Sequence, residues 1–214
     1  MAFWNKKPEP YNRTRILDAA EKARSKGSRK KAIALYQEIL AKDPNDAQVN
    51  ARIAPLLHRV GKTEDAEKAF GLAAQSFVDK GFIDKALAVY AQAVELFPLD
   101  PRLWKRVGEL TMERGRKADA VKALMQGAQQ LTRKKPSREA ALLLLEQAVG
   151  YDPFHLEATF ALGRLLKRLG RKDEGMQRLE ALQASLAGPA RRRVRRAQFY
   201  LSPGFGTLWR WLWA

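Results

Sequence analysis

Apolar residues recur along this chain of 214 residues at the spacing of an α-helix, and no segment alternates apolar and polar positions for long. The pattern predicts an all-helical fold of about ten helices. Connections of about two to four residues would make neighbouring helices antiparallel. The predicted spans are roughly 12–26, 28–41, 46–60, 63–79, 83–97, 100–114, 117–133, 137–150, 154–169 and 172–187.

Glycine punctuates the predicted helices at a regular interval. Five glycines are each followed five residues later by a small residue, and a Lys/Ala pair fills the same slot between the fourth and the fifth. The pairs are Gly27/Ala32, Gly61/Ala66, Gly81/Ala86, Gly115/Ala120, Lys135/Ala140 and Gly170/Gly175. Successive pairs lie 34, 20, 34, 20 and 35 residues apart, which is typical of a helical repeat. We expect each glycine to take the left-handed conformation that ends a helix.

Dividing the chain at every second one of these pairs gives a 54-residue unit of three helices. The unit occurs three times, at residues 28–81, 82–135 and 136–190. Small residues coincide in the three copies, and bulky residues follow one turn later. The aligned positions are Ala32, Ala86 and Ala140, followed by Tyr36, Tyr90 and Leu144. The small residue would let two helices approach closely, and the bulky one would fill the space beside it. Pro55 falls inside the third predicted helix, where we expect a local bend.

These residues resemble the tetratricopeptide repeat family, whose pattern combines a Leu-Gly pair and aromatic residues on one helix with Ala, an aromatic residue, Ala and a closing Pro on the next. One repeat carries the match at Trp104, Val107, Gly108, Ala120 and Leu124. Other matches are Ala86, Tyr90, Ala93 and Pro98, then Ala32, Tyr36, Ile39 and Pro44, and finally Leu162, Gly163, Gly175 and Leu179. The resemblance covers about residues 12–188 and implies a right-handed α-solenoid.

Three regions follow from this assignment. Residues 1–11 would form a flexible N-terminal segment, and residues 12–189 would form the solenoid. Residues 190–214 resemble nothing in the repeats and would form a separate basic and aromatic tail. The family resemblance implies a non-catalytic scaffold or adaptor that binds another protein through the groove of the solenoid.

Residue types with catalytic or metal-binding chemistry are scarce. The chain has no cysteine, and its two histidines, His58 and His155, are far apart and lack carboxylates at ligand spacing. The Gly204-Phe205-Gly206 segment lacks the strand and helix that surround a phosphate-binding loop. We therefore expect no catalytic, cofactor-binding or metal-binding residues. In family members that bind a C-terminal carboxylate, a lysine and an asparagine occupy the positions of Leu17 and Glu21, so this clamp is disfavoured.

The formal net charge of +17 suggests a basic groove. Seven residues could converge on one face of the predicted solenoid, and they combine six cations with one aromatic ring. They are Lys105, Arg133, Lys134, Phe160, Arg164, Lys167 and Arg168. Such a face would favour acidic peptides, because arginine can hold a carboxylate with two hydrogen bonds. The alternative is that these charges only decorate the outside of the solenoid.

The tail contains clustered arginines followed by clustered tryptophans. The arginines are Arg191, Arg192, Arg193, Arg195 and Arg196, and the tryptophans are Trp209, Trp211 and Trp213. Three roles fit this sequence: a helix and folded-back end that cap the last repeat, a peripheral membrane anchor, or a partner-binding segment. For the third role we rank protein above nucleic acid, because the aromatic residues follow the arginines instead of alternating with them.

No secretory signal or spanning segment is evident in the sequence, which favours the cytoplasm. A bacterial source is expected from the general style of the sequence and not from these absences. The expected partner is a protein or peptide, with an acidic segment preferred. The alternatives are a peripheral adaptor at the inner face of the membrane, attached through the tail, and a basic protein associated with nucleic acid.

Overall fold

A computed structural model describes residues 11–204 of the chain, and the described residues form eleven α-helices and one short 3₁₀ helix. The helices are α1 (Arg13–Ser25), α2 (Arg29–Leu40), α3 (Ala47–Arg59), α4 (Thr63–Asp79), α5 (Ile83–Leu96), α6 (Pro101–Glu113), α7 (Lys117–Thr132), α8 (Arg138–Tyr151), α9 (Leu156–Arg168), α10 (Lys172–Ala184) and α11 (Gly188–Leu201), with the 3₁₀ helix at Lys135–Ser137. The predicted all-helical fold is confirmed. No helix within residues 11–204 is long and apolar enough to cross a bilayer.

The chain divides into two compact units, Met1–Gln92 and Ala93–Ala214. In the first unit α1 packs on α2, α2 on α3 and α3 on α4. Its largest fully buried side chains are Tyr36, Phe70, Ile39, Ile53 and Val49. In the second unit each helix from α6 to α11 packs on the next one along the chain. Helices two apart also touch in this unit, in the pairs α6 with α8, α7 with α9 and α9 with α11.

The glycines that punctuate the sequence end helices as predicted. Gly27, Gly61, Gly81, Gly115 and Gly170 all have φ between 72° and 81°, a region that strains residues with a Cβ atom. At the first of them, the Gly27 amide donates to Arg24 O and the Ser28 amide donates to Ala23 O, which satisfies carbonyls at the end of α1. The position of Lys135 differs, because this residue opens the 3₁₀ helix instead of adopting positive φ.

Small residues permit close helix packing in the second unit. A Cβ atom on Gly108 of α6 would lie 2.7 Å from the Leu124 side chain of α7. A Cβ atom on Gly175 of α10 would lie 3.2 Å from the carbonyl oxygen of Gly163 on α9. Of the small residues that follow the helix-ending glycines by five positions, Gly175 therefore permits the close helix approach that was predicted.

Helix α3 continues through Pro55 from Ala47 to Arg59. Because proline has no N–H, the backbone hydrogen bond that residue 55 would donate within the helix is missing. The helix begins at a strong cap, since the Asp46 carboxylate accepts a hydrogen bond of 3.1 Å from the Val49 amide.

Helix α11 covers the apolar side of α10. Val194 and Leu201 of α11 are buried with Leu179 and Leu182 of α10, and Phe160 of α9 packs against the same cluster. The arginine-rich segment is thus helical from Gly188 to Leu201 and contributes apolar side chains to the second unit.

Candidate binding face on α7, α9 and α11

Helices α7, α9 and α11 lie side by side in the second unit and run in the same direction. Near the start of α9, Glu157 pairs with Arg193 in the first half of α11. Near its end, the Lys167 ammonium donates to the Tyr200 carbonyl at 2.7 Å. The start of α7 lies at the start of α9 as well, because Lys117 Nζ is 3.5 Å from Asp152 in the joint that precedes α9.

A groove of about 890 Å³ lies between α9 and α11. Apolar side chains form part of its lining, and Leu179 and Leu201 among them are almost fully buried. Cationic side chains from both helices surround this apolar part. They are Arg164, Lys167 and Arg168 of α9 with Arg193 and Arg196 of α11. The groove therefore combines an apolar base with a positively charged rim.

The five cations of this groove differ in their contacts. Lys167 donates to the Tyr200 carbonyl, and Arg193 pairs with Glu157. Arg164, Arg168 and Arg196 are exposed and have no acidic partner among residues 11–204. Three guanidinium groups are consequently available to an anionic ligand, each with donors arranged to hold a carboxylate.

A second groove of about 700 Å³ lies between α7 and α9. Its α7 side presents Lys122, Met125 and Gln129, and its floor includes the buried Leu165 of α9. Arg164 and Arg168 line this groove as well as the first. The two grooves therefore adjoin along α9, and these two arginines stand on the ridge between them.

The structure brings together four of the seven predicted groove residues, namely Phe160, Arg164, Lys167 and Arg168. Lys105 lies elsewhere, on α6, where its ammonium is 3.9 Å from the Glu109 carboxylate. The remaining two, Arg133 and Lys134, follow the end of α7 and line neither groove. The three side chains on other elements thus do not join the α9 cluster.

Two further groove residues come from the arginine cluster that the sequence places in the tail. Arg193 and Arg196 lie on α11 and face the groove together with Ala197 and Tyr200. Their spacing of three, four and seven residues is that of one helix face, and this signal was present in the sequence. Arg191, Arg192 and Arg195 also lie on α11 but do not line the groove. Trp209, Trp211 and Trp213 lie outside the described residues.

His155 has a structural position at the start of α9. Its Nδ1 accepts a hydrogen bond of 3.2 Å from the Ala158 amide, so the ring caps the helix. The part of the chain that the structure describes contains no group of three or more His, Asp or Glu residues placed to hold a metal ion.

The first unit has a charged cluster around Glu21 of α1. The Tyr36 hydroxyl donates to Glu21 Oε1 at 2.6 Å, and Arg52 Nη1 lies 2.9 Å from the same oxygen. Arg24 donates to Glu21 Oε2. Burial raises the pKa of Glu21, but the hydrogen bonds from Tyr36 and Arg24 and the charge of Arg52 outweigh it, so this pKa lies below its ordinary value. Glu21 thus ties together α1, α2 and α3.

Comparison with known proteins agrees with this architecture. The model of the tetratricopeptide repeat family matches residues 72–138 and 137–190, more than half of the chain, so the protein belongs to this family. These repeats support a role in protein–protein interaction, and members of the family are generally non-catalytic scaffolds. A search of curated proteins found no match.

Several solved structures are similar to the chain at low sequence identity. The MamA structure is 14% identical, over 85% of this chain and 95% of that one, with a TM-score of 0.31. Yeast Tom70 is 18% identical, over 93% of this chain and 40% of that one, with a TM-score of 0.36. YrrB, described as a tetratricopeptide repeat protein with an unusual peptide-binding site, is 13% identical, over 95% and 93%, with a TM-score of 0.28.

Proposed function

We propose that the protein is a non-catalytic scaffold or adaptor that binds an acidic segment of a partner protein along α7, α9 and α11. The observation that carries this proposal is the set of three arginines, Arg164, Arg168 and Arg196, that have no acidic partner within residues 11–204 and stand over an apolar groove. We place this binding in the cytoplasm, as the sequence predicts.

Charged contacts with the arginines and apolar contacts in the groove both contribute to the proposed recognition. Arginine can grip a carboxylate with two parallel hydrogen bonds, which fixes the position of an acidic side chain. An apolar side chain of the partner can contact Phe160, Ala197 and Tyr200, which line the same groove and are not fully buried. Because the helices hold these groups in place before binding, the entropic cost of ordering falls on the partner segment. The favoured ligand is a peptide with acidic residues beside one apolar anchor.

Fluorescence anisotropy with a labelled peptide rich in Asp and Glu, and carrying one Leu, tests this proposal. The double variant Arg164→Gln/Arg168→Gln should weaken binding by about tenfold or more, because each arginine forms charge-assisted hydrogen bonds. The control Arg29→Gln/Lys30→Gln removes the same charge from exposed positions at the start of α2. Equal losses in the two variants would show that only net charge matters and would overturn the proposal.

A second peptide tests the apolar contact. With the Leu replaced by Ser, affinity should fall about tenfold, which corresponds to the removal of one buried aliphatic side chain. Unchanged affinity would contradict a role for the groove between α9 and α11.

The tail-anchored membrane alternative and the nucleic-acid alternative both invoke the arginines of α11. Two of these, Arg193 and Arg196, line the groove, so the five arginines do not form one outward patch. Vesicle flotation of a chain ending at Gly204 tests the tail without removing α11, whose Val194 and Leu201 are buried in the core. Nucleic-acid binding would be recognised by a steep fall of affinity with salt.

A further inference from the structure

The groove between α9 and α11 is charged with one sign only. Its described lining contains five cations and no carboxylate. One of the cations, Arg193, is neutralised from the start of α9 by Glu157. Because the other four share one cavity, their positive potentials add there. The groove therefore favours an anion that carries more than one negative charge.

The two helices that form this groove are tied together along its length. An ion pair joins them near the start of α9, and the Lys167 ammonium donates to the Tyr200 carbonyl near its end. Between these contacts Leu201 of α11 packs closely on α9, since a Cβ atom on Gly163 would lie 3.1 Å from the Leu201 side chain. The width of the groove is thus set before a ligand binds, which lowers the entropic cost of binding.

Three arginines reach the groove from both sides. Arg164 and Arg168 lie about one turn apart on α9. Arg196 lies on α11, about one turn after Arg193 and one turn before Tyr200. Arg164, Arg168 and Arg196 are exposed and have no acidic partner in the described part of the chain. Guanidinium groups on two opposite helices can therefore hold the same anionic group.

The number of guanidinium groups distinguishes between two kinds of anionic side chain. A carboxylate has a single charge and two oxygens, so it matches the fork of one arginine. A phosphorylated side chain has a charge of about −1.5 to −2 near pH 7 and three strong acceptor oxygens. Its phosphoryl group can accept hydrogen bonds from arginines on both helices at once, and it neutralises more of the charge in the groove.

We propose that the acidic segment bound by this face carries a phosphorylated residue, whose phosphoryl group is held between α9 and α11 by Arg164, Arg168 and Arg196. This assignment rests on the function proposed above and specifies the anionic group that the site recognises. Phe160 and Tyr200 line the same groove and contact the residue next to the phosphorylated one. Phosphorylation of the partner then controls its affinity for the protein.

A phosphate monoester fits this groove better than the phosphodiesters of nucleic acids do. Each phosphodiester carries a single charge, and a nucleic-acid strand repeats it along its backbone, so proteins that bind single strands place cations along an extended track. Here the cations line one cavity of about 890 Å³. The concentration of charge in one place favours a single group with two charges.

Fluorescence anisotropy of the full chain at fixed ionic strength tests the assignment. Three labelled peptides rich in Asp and Glu, each with one Leu, differ only at a central position that is Ser, Glu or phosphoserine. The phosphoserine peptide should bind at least about tenfold more tightly than the Glu peptide, because it accepts additional charge-assisted hydrogen bonds.

A matched pair of variants on α11 locates the effect. Arg196→Gln should reduce the advantage of phosphoserine over Glu to about threefold or less, since it removes the arginine that reaches the phosphoryl group from α11. The control is Arg192→Gln, which removes the same charge from an exposed position of α11 outside the groove. This control should leave the advantage unchanged. Circular dichroism of both variants confirms that the helices are retained.

The outcomes separate this assignment from the function on which it rests. If the phosphoserine and Glu peptides bound equally well, the assignment would be overturned and acidic-segment binding would stand. Absence of binding by all three peptides would overturn both. Equal losses of the phosphoserine advantage in Arg196→Gln and Arg192→Gln would also overturn the assignment. A single-stranded DNA oligonucleotide is the competing ligand, and tighter binding to it that depends on Arg196 would assign the groove to nucleic acid instead.

Discussion

The same repeat position is occupied by opposite charges in the two units. Glu21 on α1 lies six residues before Gly27, and Arg164 on α9 lies six residues before Gly170. Glu21 is held by Tyr36, Arg24 and Arg52 inside the first unit. Arg164 has no acidic partner in the described part of the chain and lines two grooves. One register position therefore supports packing in one unit and presents charge in the other.

The two units also differ in the residue on the following helix that lies beside Glu21 or Arg164. Tyr36 on α2 and Leu179 on α10 both lie nine residues after the helix-ending glycine, and both are fully buried. The Tyr36 hydroxyl donates to Glu21, so the acid is satisfied within the unit. Leu179 has no polar group to offer, and it forms part of the groove beside Arg164. The acid is thus held in a structural cluster in the first unit, whereas the arginine at the equivalent position of the second unit is exposed beside a groove.

Removal of the Tyr36 ring should have the largest effect on stability. Tyr36→Ala deletes a fully buried side chain and a hydrogen bond to Glu21, and we expect a loss of about 3–5 kcal/mol in the free energy of unfolding. Urea titration followed by circular dichroism measures it. Affinity for the acidic peptide, measured while the variant is folded, should stay unchanged; a joint loss of affinity would contradict the separation of roles.

Charge reversal at the two equivalent positions should give opposite phenotypes. Glu21→Arg places a third cation beside Arg24 and Arg52 and should destabilise the protein by about 2 kcal/mol. Arg164→Glu should change the free energy of unfolding by no more than about 0.5 kcal/mol, because the residue is exposed. The same variant should lower the affinity for the acidic peptide by more than tenfold. Thermal unfolding and anisotropy on both variants provide the comparison. Similar stability losses in the two variants would remove the proposed difference.

Deleting only the Tyr36 hydroxyl should have a smaller effect. Tyr36→Phe retains the ring and removes one hydrogen bond to a charged partner, which should cost about 1–3 kcal/mol. The control is Tyr200→Phe, whose side chain is 75% exposed and should tolerate the change. If Tyr36→Phe lowered the free energy of unfolding no more than this control does, the hydroxyl would have no part in holding Glu21.

The Glu21 cluster should also give the first unit a modest acid sensitivity. The pKa of Glu21 is lowered in the folded state. The cluster therefore contributes its full stabilisation at pH values above the ordinary glutamate pKa of about 4.3. That contribution is lost as the pH falls through the lower folded value. Glu21→Gln should therefore destabilise the protein at neutral pH, and the gap from the unmodified protein should narrow toward pH 3. A gap that stayed constant would mean that the carboxylate charge is irrelevant.

Local features of the fold were predictable from the sequence, because their causes are local. Five helices end at glycines with positive φ, as their spacing predicted, since glycine adopts this conformation without strain. The slot at Lys135 could not be interpreted in this way. There the chain forms a 3₁₀ helix, and neither the residue type nor the spacing indicates how the turn closes.

The candidate site was predictable only where its residues share one helix. Phe160, Arg164, Lys167 and Arg168 are spaced to lie on one face of α9, and the structure places them along one groove. Lys105 could be placed relative to them only by knowing how α6 packs. The sequence places Arg196 in the tail, because α11 lies beyond the last glycine that ends a repeat helix. The packing of α11 on α9 and α10 depends on tertiary contacts, which the sequence pattern does not reveal.

The central claim is that the ridge of Arg164 and Arg168 receives an acidic protein segment. Titrating the isotopically labelled protein with the acidic peptide and following backbone amide shifts by NMR tests it most directly. The largest shifts should fall on α9 and on the facing sides of α7 and α11, around Phe160, Arg164 and Ala197. Shifts concentrated at Arg133–Lys135, or spread evenly over all basic surfaces, would contradict it.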